Sequence, residues 1–88
     1  MPIISQFYGI IITMYFGESE KHHKPHLHAR YNGMKATYDL ESNKLNGEMP
    51  LKQDKLIQAW IQIHEEELKS LWILMQEEQK YFKIKPLN

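Results

Sequence analysis

The sequence predicts a small α+β fold, with an antiparallel sheet covered on one face by a C-terminal helical segment. β-Branched and aromatic residues dominate residues 3–16, a composition typical of strands. The dipeptide Asn32-Gly33 stands between two alternating runs and is the strongest short-range signal of a β-hairpin. From residue 56 to residue 75, apolar side chains recur at spacings of three and four, as they do on one face of a helix.

Length and composition predict one soluble domain. A chain of 88 residues supports a single core, so we expect residues 1-88 to form one domain. The absence of cysteine excludes a disulfide framework, a thiolate metal site and a thiol nucleophile. No apolar run approaches the ~20 residues that a membrane span needs, and residues 10–12 are too few and too late for a secretory signal. We therefore expect a cytoplasmic protein that makes no membrane contact.

Two short strands are expected before a polar loop. Gly9 interrupts the strand-like residues 3–16, which favours a bulge or a bend between two strands. A polar loop over residues 17–25 follows, then the hairpin, and a short return strand is expected to begin at Leu45 and end at Asn46-Gly47.

A type I′ turn at Asn32-Gly33 determines which residues of the hairpin face each other, because side chains alternate between the two faces of a strand. The strands are expected near residues 26–31 and 34–40. The apolar pairs are Tyr31 with Met34, Ala29 with Ala36, and Leu27 with Tyr38. The polar pairs are Arg30 with Lys35, His28 with Thr37, and His26 with Asp39. We expect the apolar side to face the helices and the histidines to point away from them.

The helical segment is expected to be bent or broken. Pro50 suits the first turn of a helix. An unbroken helix over residues 51–78 would span roughly 42 Å, whereas a domain of this size has a radius of gyration of about 12 Å. A break near residues 64–66 therefore gives two helices or one bent helix. A long helix shared with a second subunit is the competing outcome.

Charge is unevenly distributed although the formal net charge is zero, a balance that argues against non-specific nucleic-acid binding by the whole surface. Residues 21–38 hold four lysines or arginines, four histidines and no acid. Residues 65–78 hold five glutamates and one lysine. The hairpin can therefore take an anionic ligand, and the acidic helix can dock a basic partner or another copy of the chain.

His26, His28 and Asp39 are the candidate catalytic residues. Histidine titrates near neutrality and can act as an acid or a base, and Asp39 opposite His26 can orient that imidazole. The candidate ligand-binding cations are Lys24, Arg30 and Lys35. A base, an acid and cationic support for phosphate are what metal-free RNA cleavage needs, and this hypothesis requires no cofactor.

Other interpretations of the same residues stay open. His26 and His28 can be solvated strand histidines beside a turn. With His23 they can also bind a divalent metal such as zinc, since an i, i+2 spacing on a strand suits two imidazole ligands. A non-enzymatic interaction module that docks a partner through its acidic helices is the third hypothesis. The sequence is compatible with an enzyme and with a binding protein.

Segments along the whole chain resemble one family. They comprise residues 1–10 and 14–16, the run His23-Lys24-Pro25-His26-Leu27-His28-Ala29, residues 64–68, and Trp60 and Trp72. Together they resemble short bacterial proteins known as domain-of-unknown-function family 4160. Its members typically carry His-x-Pro-Pro-His-x-His-Ala, so Lys24 departs from the pattern where it precedes Pro25. The resemblance implies a small protein partner encoded nearby, in the manner of toxin–antitoxin or accessory operons, and a second copy of the chain is the other expected partner. The leading hypothesis is therefore a toxin–antitoxin-like component that acts on RNA through His26 and His28.

Overall fold

The computed structural model describes residues 2–16 and 24–87. Within these residues, five strands and two helices follow in the order β1 (Ile3–Phe7), β2 (Ile10–Thr13), β3 (His26–Tyr31), β4 (Met34–Asp39), β5 (Lys44–Gly47), α1 (Leu51–Ile63) and α2 (Glu65–Glu78). The strands form one antiparallel sheet in which each strand pairs with its neighbour in the chain. The predicted α+β fold is confirmed. Of the predicted loop at residues 17–25, only Lys24 and Pro25 lie among the described residues.

Two tight turns connect the first four strands in pairs. Asn32 and Gly33 have φ values of 50° and 84°, the positive values that a type I′ turn requires at both central residues. Tyr8 and Gly9, with φ values of 51° and 80°, make an equivalent turn between β1 and β2. The break predicted at Gly9 is therefore a two-residue hairpin turn.

The hairpin register is confirmed at every predicted pair. The six pairs are His26 with Asp39, Leu27 with Tyr38, His28 with Thr37, Ala29 with Ala36, Arg30 with Lys35, and Tyr31 with Met34. Leu27, Ala29 and Tyr38 are buried in the core, on what we call the inner face of the sheet. The opposite face, which carries His28, Arg30, Lys35 and Thr37, is called the outer face.

The helical segment is broken where the size argument predicts. α1 ends at Ile63, α2 begins at Glu65, and His64 between them leaves the helical conformation with φ −108° and ψ 24°. His64 Nδ1 lies 2.5 Å from Glu67 Oε1. Three glutamates occupy the first turn of α2, where the helix dipole favours negative charge. Neither helix has the length and apolar character that crossing a membrane demands, among the residues described.

The two helices pack on different parts of the sheet. α1 covers the inner face, where the Trp60 and Phe7 rings lie 5.3 Å apart. α2 crosses the end of the sheet at which β3 begins, because Trp72 contacts His26 with ring centroids 5.3 Å apart. After α2 the chain returns to β1, where the Ile84 N–H donates to the Ile4 carbonyl at 2.8 Å. The site residues therefore divide between an open outer face and an end of the sheet covered by α2.

Candidate functional site

A cavity of about 280 Å³ opens on the outer face of the sheet. Its wall comes from residues of β3, β4 and β5 and from the chain around the end of β2. The residues that line it are Thr13, Tyr15, His28, Ala29, Arg30, Lys35, Ala36, Thr37 and Asn46. Three of the predicted site residues, His28, Arg30 and Lys35, therefore meet at one cavity.

The His28 imidazole is held between two side chains. Its ring stacks on Tyr15, with centroids 4.4 Å apart and an interplanar angle of 21°. Its Nδ1 lies 3.4 Å from the Thr37 hydroxyl, a long hydrogen bond that follows from the pairing of the two residues across the hairpin. The imidazole is half-buried and lines the cavity, but its Nε2 has almost no exposed surface, so packing defines its orientation.

Arg30 and Lys35 place two cations side by side. They face each other across β3 and β4, and both are exposed. Like charges directly opposite in a sheet repel each other. Within residues 2–16 and 24–87, no ion pair joins either side chain to a carboxylate. An anion bound between them would relieve this repulsion.

A neighbouring cavity of about 440 Å³ extends the surface to the hairpin turn. It is lined by Gly9, Ile11, Arg30, Tyr31, Asn32, Gly33, Met34 and Lys35. The two cavities share Arg30 and Lys35. The cation pair therefore stands at the boundary between two concave surfaces, and a ligand that contacts both cations can extend to either side.

His26 does not point away from the helices, and that part of the prediction is wrong. The residue is only 7% exposed, because it begins β3 at the end of the sheet that α2 crosses. Trp72 contacts its ring from α2, and His28 lies edge-on to it with centroids 5.1 Å apart. Its Nδ1 lies 2.7 Å from the Lys24 carbonyl oxygen. His26 supports His28 from the buried side of the cluster.

Asp39 binds a turn and not the His26 imidazole opposite it. Its Oδ1 accepts hydrogen bonds from the backbone N–H groups of Glu41 and Asn43, each at 2.9 Å. Its Oδ2 accepts the Asn43 side-chain amide at 3.0 Å and pairs with the Lys24 ammonium at 3.2 Å. Burial alone would raise the pKa of this carboxyl, but the bonds from Asn43, Glu41 and Lys24 outweigh it and lower the pKa. The predicted orienting role of Asp39 is therefore taken by the Lys24 carbonyl.

Lys24 is separated from the other two predicted cations. Its ammonium pairs with Asp39 at the α2 end of the sheet, whereas Arg30 and Lys35 stand near the hairpin turn. The structure therefore divides the predicted anion-binding set. Arg30 and Lys35 lie together on the outer face, and Lys24 pairs with the carboxylate that bonds the turn after β4.

The metal hypothesis depends on a residue outside the described part of the chain. His23 precedes the described range that starts at Lys24. No group of three or more His, Asp or Glu side chains among the described residues is arranged to hold a metal ion. His26 and His28, in edge-to-face contact, are the two described members of the predicted ligand set. The site with His23, His26 and His28 stays a prediction.

Tyr15 and Asn46 were not predicted as members of the site. Tyr15 reaches His28 because β2 pairs with β3 in a register that places Thr13 opposite His28. Asn46 arrives from β5, where it pairs with Thr37. Alternation along each strand indicates which residues point outward, but it gives no register between β2 and β3. The sequence therefore carried no signal that would have joined Tyr15 to His28.

A protein-family model described as "Domain of unknown function (DUF4160)" matches residues 9–73. The match includes β2, β3, β4 and α1, and with them every residue that lines the outer-face cavity. No curated protein and no solved structure matches the chain.

Proposed function

We propose that this chain, which belongs to the DUF4160 family, acts on RNA through the outer face of its sheet, as a cytoplasmic component of a toxin–antitoxin-like pair. The observation that carries the proposal is the Arg30–Lys35 pair beside the His28–Tyr15 stack in one cavity. The partner expected is a small protein encoded nearby.

The cation pair suits a phosphodiester. Arginine presents a planar fork of donors that matches phosphate oxygens, and lysine adds a compact charge. Arg30 and Lys35 face each other across the hairpin, so one phosphate group can contact both. Because the formal net charge of the chain is zero, this local pair supplies the attraction. For two phosphate contacts, the logarithm of the binding constant should fall with the logarithm of salt concentration with a slope of about −1.4.

The stacked rings favour a single-stranded ligand. Proteins recognise single-stranded RNA by stacking unpaired bases on aromatic or histidine side chains. Tyr15 and His28 stack on each other and both line the smaller cavity. Cavities of about 280 Å³ and 440 Å³ share the cation pair. A strand with its phosphate at Arg30 and Lys35 can place one nucleotide in each cavity.

His28 is the acid–base group of the proposal. Its imidazole lines the same cavity as Arg30 and Lys35, whereas His26 is buried under Trp72 and Asp39 is bonded to the turn after β4. Cleavage through this site therefore uses His28 either as the base that takes the proton of the attacking 2′-hydroxyl or as the acid that protonates the leaving 5′-oxygen. Water carries the other proton transfer, and His26 supports the position of His28. Proton transfer by one such imidazole typically contributes about 10²–10⁴-fold to a rate.

Binding of a fluorescently labelled single-stranded RNA, followed by fluorescence anisotropy, tests the proposal. The double variant Arg30→Ala/Lys35→Ala should weaken binding by roughly tenfold or more, because charge-assisted bonds to phosphate are lost. The matched control is Lys52→Ala/Lys55→Ala, which removes two exposed cations of α1 and should leave binding unchanged. If the wild-type protein does not bind the RNA at low salt, the proposal is wrong.

Cleavage is tested separately from binding. His28→Ala should abolish cleavage of a bound RNA while binding persists, and wild-type cleavage should survive a metal chelator. If the RNA is bound but not cleaved, the protein is an RNA-binding protein without this activity. If the chelator stops cleavage, the result supports the metal hypothesis.

Metal binding is the second candidate because of one contact. Metal-ligating histidines usually donate a hydrogen bond from their other ring N–H to a carbonyl or carboxylate, and His26 Nδ1 lies 2.7 Å from the Lys24 carbonyl oxygen. This hypothesis expects zinc or nickel to raise the melting temperature of the wild-type protein. His26→Ala should abolish the increase relative to its own metal-free melting temperature. An unchanged melting temperature with each metal contradicts it.

A further inference from the structure

A separate cavity of about 280 Å³ opens between α2 and the ends of β3 and β4. Its apolar surface comes from Pro25, Leu40, Trp72 and Ile73. Ile73 is 54% exposed, an unusual position for a large aliphatic side chain beside a cavity. This cavity shares no described residue with the outer-face cavity. It is therefore independent of the proposed RNA site, and we call it the α2 cavity.

Among the described residues, two carboxylates and two lysines line the α2 cavity, and Glu65, the partner of Lys69, brings the carboxylates to three. Both lysines that line it are paired within the chain, Lys24 with Asp39 at 3.2 Å and Lys69 with Glu65 at 3.1 Å. Glu41 also lines the cavity, and in the described part of the chain no cation pairs with it. The rim is therefore negative around an apolar floor.

Neighbouring carboxylates act on Lys69, which lines this cavity. The Glu65 carboxylate raises the pKa of Lys69 most, and Glu66 and Glu41 add to the effect. Glu66 stands three residues before Lys69 on α2 and therefore lies on the same side of that helix. A fitting occupant has one large apolar side chain with cations on both sides.

The chain itself carries a segment of this kind. After α2 it reads Lys80-Tyr81-Phe82-Lys83, with Tyr81 46% exposed and Phe82 39% exposed. Tyr81 contacts Phe16 edge-on, which leaves Phe82 as the better anchor. No ion pair involves Lys80 or Lys83 among the residues that the structure describes.

This segment cannot reach the α2 cavity of its own copy without leaving its place. Beyond it, the Ile84 N–H is bonded to the Ile4 carbonyl in β1, which forms an edge of the sheet. The α2 cavity lies instead at the ends of β3 and β4. A contact between the two surfaces therefore joins two molecules.

We propose that a second copy of this chain inserts Phe82 into the α2 cavity, with its flanking lysines facing the carboxylates at the rim. A cavity of about 280 Å³ has room for an aromatic side chain, and aromatic residues are frequent anchors at protein interfaces. The cavity and the tail are different surfaces, so the contact is head-to-tail. It closes as a dimer where two reciprocal contacts form and otherwise extends as a chain.

Sedimentation velocity of the purified full chain tests this proposal. The average mass should rise between micromolar and millimolar protein concentration, and added salt should weaken the association because it screens the rim charges. Phe82→Ser should abolish the association. Tyr8→Ser, which removes another exposed aromatic residue, should not.

A complementation experiment identifies the two surfaces. Ile73→Glu introduces a charge at the cavity and should also abolish association by itself. An equimolar mixture of Phe82→Ser and Ile73→Glu retains one intact cavity and one intact tail, so it should associate in pairs. Melting temperatures equal to that of the wild type establish that both variants fold.

Three results would overturn the proposal. They are a wild-type monomer at every concentration, a Phe82→Ser variant that associates like the wild type, and a mixture that stays monomeric. If the chain stays monomeric and a different protein shields Trp72 from a fluorescence quencher when it binds, the α2 cavity is the binding site of that partner. RNA binding by Phe82→Ser should equal that of the wild type, so the two proposals fail or survive independently.

Discussion

Asn43 holds the carboxylate of Asp39 through two hydrogen bonds, one from its backbone N–H to Oδ1 at 2.9 Å and one from its side-chain amide to Oδ2 at 3.0 Å. The backbone N–H of Glu41 adds a third bond at 2.9 Å. Between these donors, Ser42 adopts a left-handed conformation with φ 71°. Asp39 therefore closes the turn that leads from β4 into β5, and the ionised form of its side chain is part of the fold.

Asp39→Asn should lower the free energy of unfolding by about 1–3 kcal/mol, the usual cost of losing hydrogen bonds to a charged group. The amide nitrogen introduced by asparagine is a donor. It would face the Lys24 ammonium or the Asn43 donors, which need an acceptor. Urea denaturation measures the change. Glu48→Gln, which alters an exposed carboxylate, is the control and should change stability by less than about 0.5 kcal/mol.

The same carboxylate predicts a loss of stability in acid. Its pKa is lower in the folded chain than the usual value of 3.8, because its hydrogen bonds outweigh the effect of burial. The stability it contributes is complete above that usual value and is lost as the pH falls through the folded pKa. The difference between the wild type and Asp39→Asn should therefore shrink on acidification. A difference that stays constant into strong acid would show that the charge of Asp39 contributes nothing.

Gly47→Ala should destabilise the chain more than Gly33→Ala. Both glycines have positive φ, 90° and 84°, a conformation that costs an alanine roughly 1–2 kcal/mol. A Cβ at Gly33 meets nothing within 4 Å, whereas at Gly47 it would lie 2.3 Å from the Lys35 carbonyl oxygen. Gly33→Ala therefore measures the conformational cost, and the excess at Gly47 measures the clash with β4. Equal melting temperatures for the two variants would contradict this prediction.

The hairpin could be predicted from local sequence alone. Asn32-Gly33 specifies a turn with two positive φ values, and alternation along each strand then assigns every pair from Tyr31–Met34 to His26–Asp39. The break at His64 followed from length and size, since a single rod would overhang the core. These features depend on residues that are close in sequence or on the dimensions of the domain.

The surroundings of His26 and Asp39 could not be predicted from the hairpin pattern. Trp72 covers His26 because α2 crosses one end of the sheet, and that crossing is a tertiary arrangement with no local signal. For Asp39, the sequence does contain a local signal. Asp side chains commonly bond backbone N–H groups two residues ahead, as Asp39 does with Glu41. The local sequence around Asp39 therefore predicts a structural role in a turn more directly than a catalytic role.

Tyr38→Phe should remove one buried hydrogen bond without changing the packing of the ring. The Tyr38 side chain is fully buried, and its hydroxyl donates to Asp54 Oδ1 at 2.5 Å. A hydrogen bond to a charged group is typically worth about 1.5–3 kcal/mol, so the urea midpoint should fall accordingly. Tyr31→Phe is the control, because that half-buried hydroxyl makes no hydrogen bond among the described residues. A smaller loss at Tyr38 than at Tyr31 would contradict the prediction.

The Tyr38 hydroxyl also predicts a loss of stability in alkali. Burial, with the hydrogen bond to Asp54 and its negative charge, raises the pKa of this hydroxyl above its usual value of 10.0. Above that value the unfolded chain loses the proton while the folded chain keeps it, so stability falls as the pH rises. Urea denaturation at increasing pH should show a steeper decline for the wild type than for Tyr38→Phe. Parallel curves would exclude this role.

Trp60→Phe should release the C-terminal tail from the sheet. The Trp60 indole N–H donates to the Lys85 carbonyl at 2.9 Å, one residue beyond the Ile84 N–H that bonds Ile4 in β1. Phenylalanine keeps an aromatic ring in the core and removes the donor, so the Ile84 amide should exchange its hydrogen faster. The control is Trp72→Phe, which trims another buried indole, one that contacts His26 instead of the tail. Faster exchange at Ile84 in Trp60→Phe alone supports the role of this bond, and equal exchange in both variants would attribute the effect to a general loss of core packing.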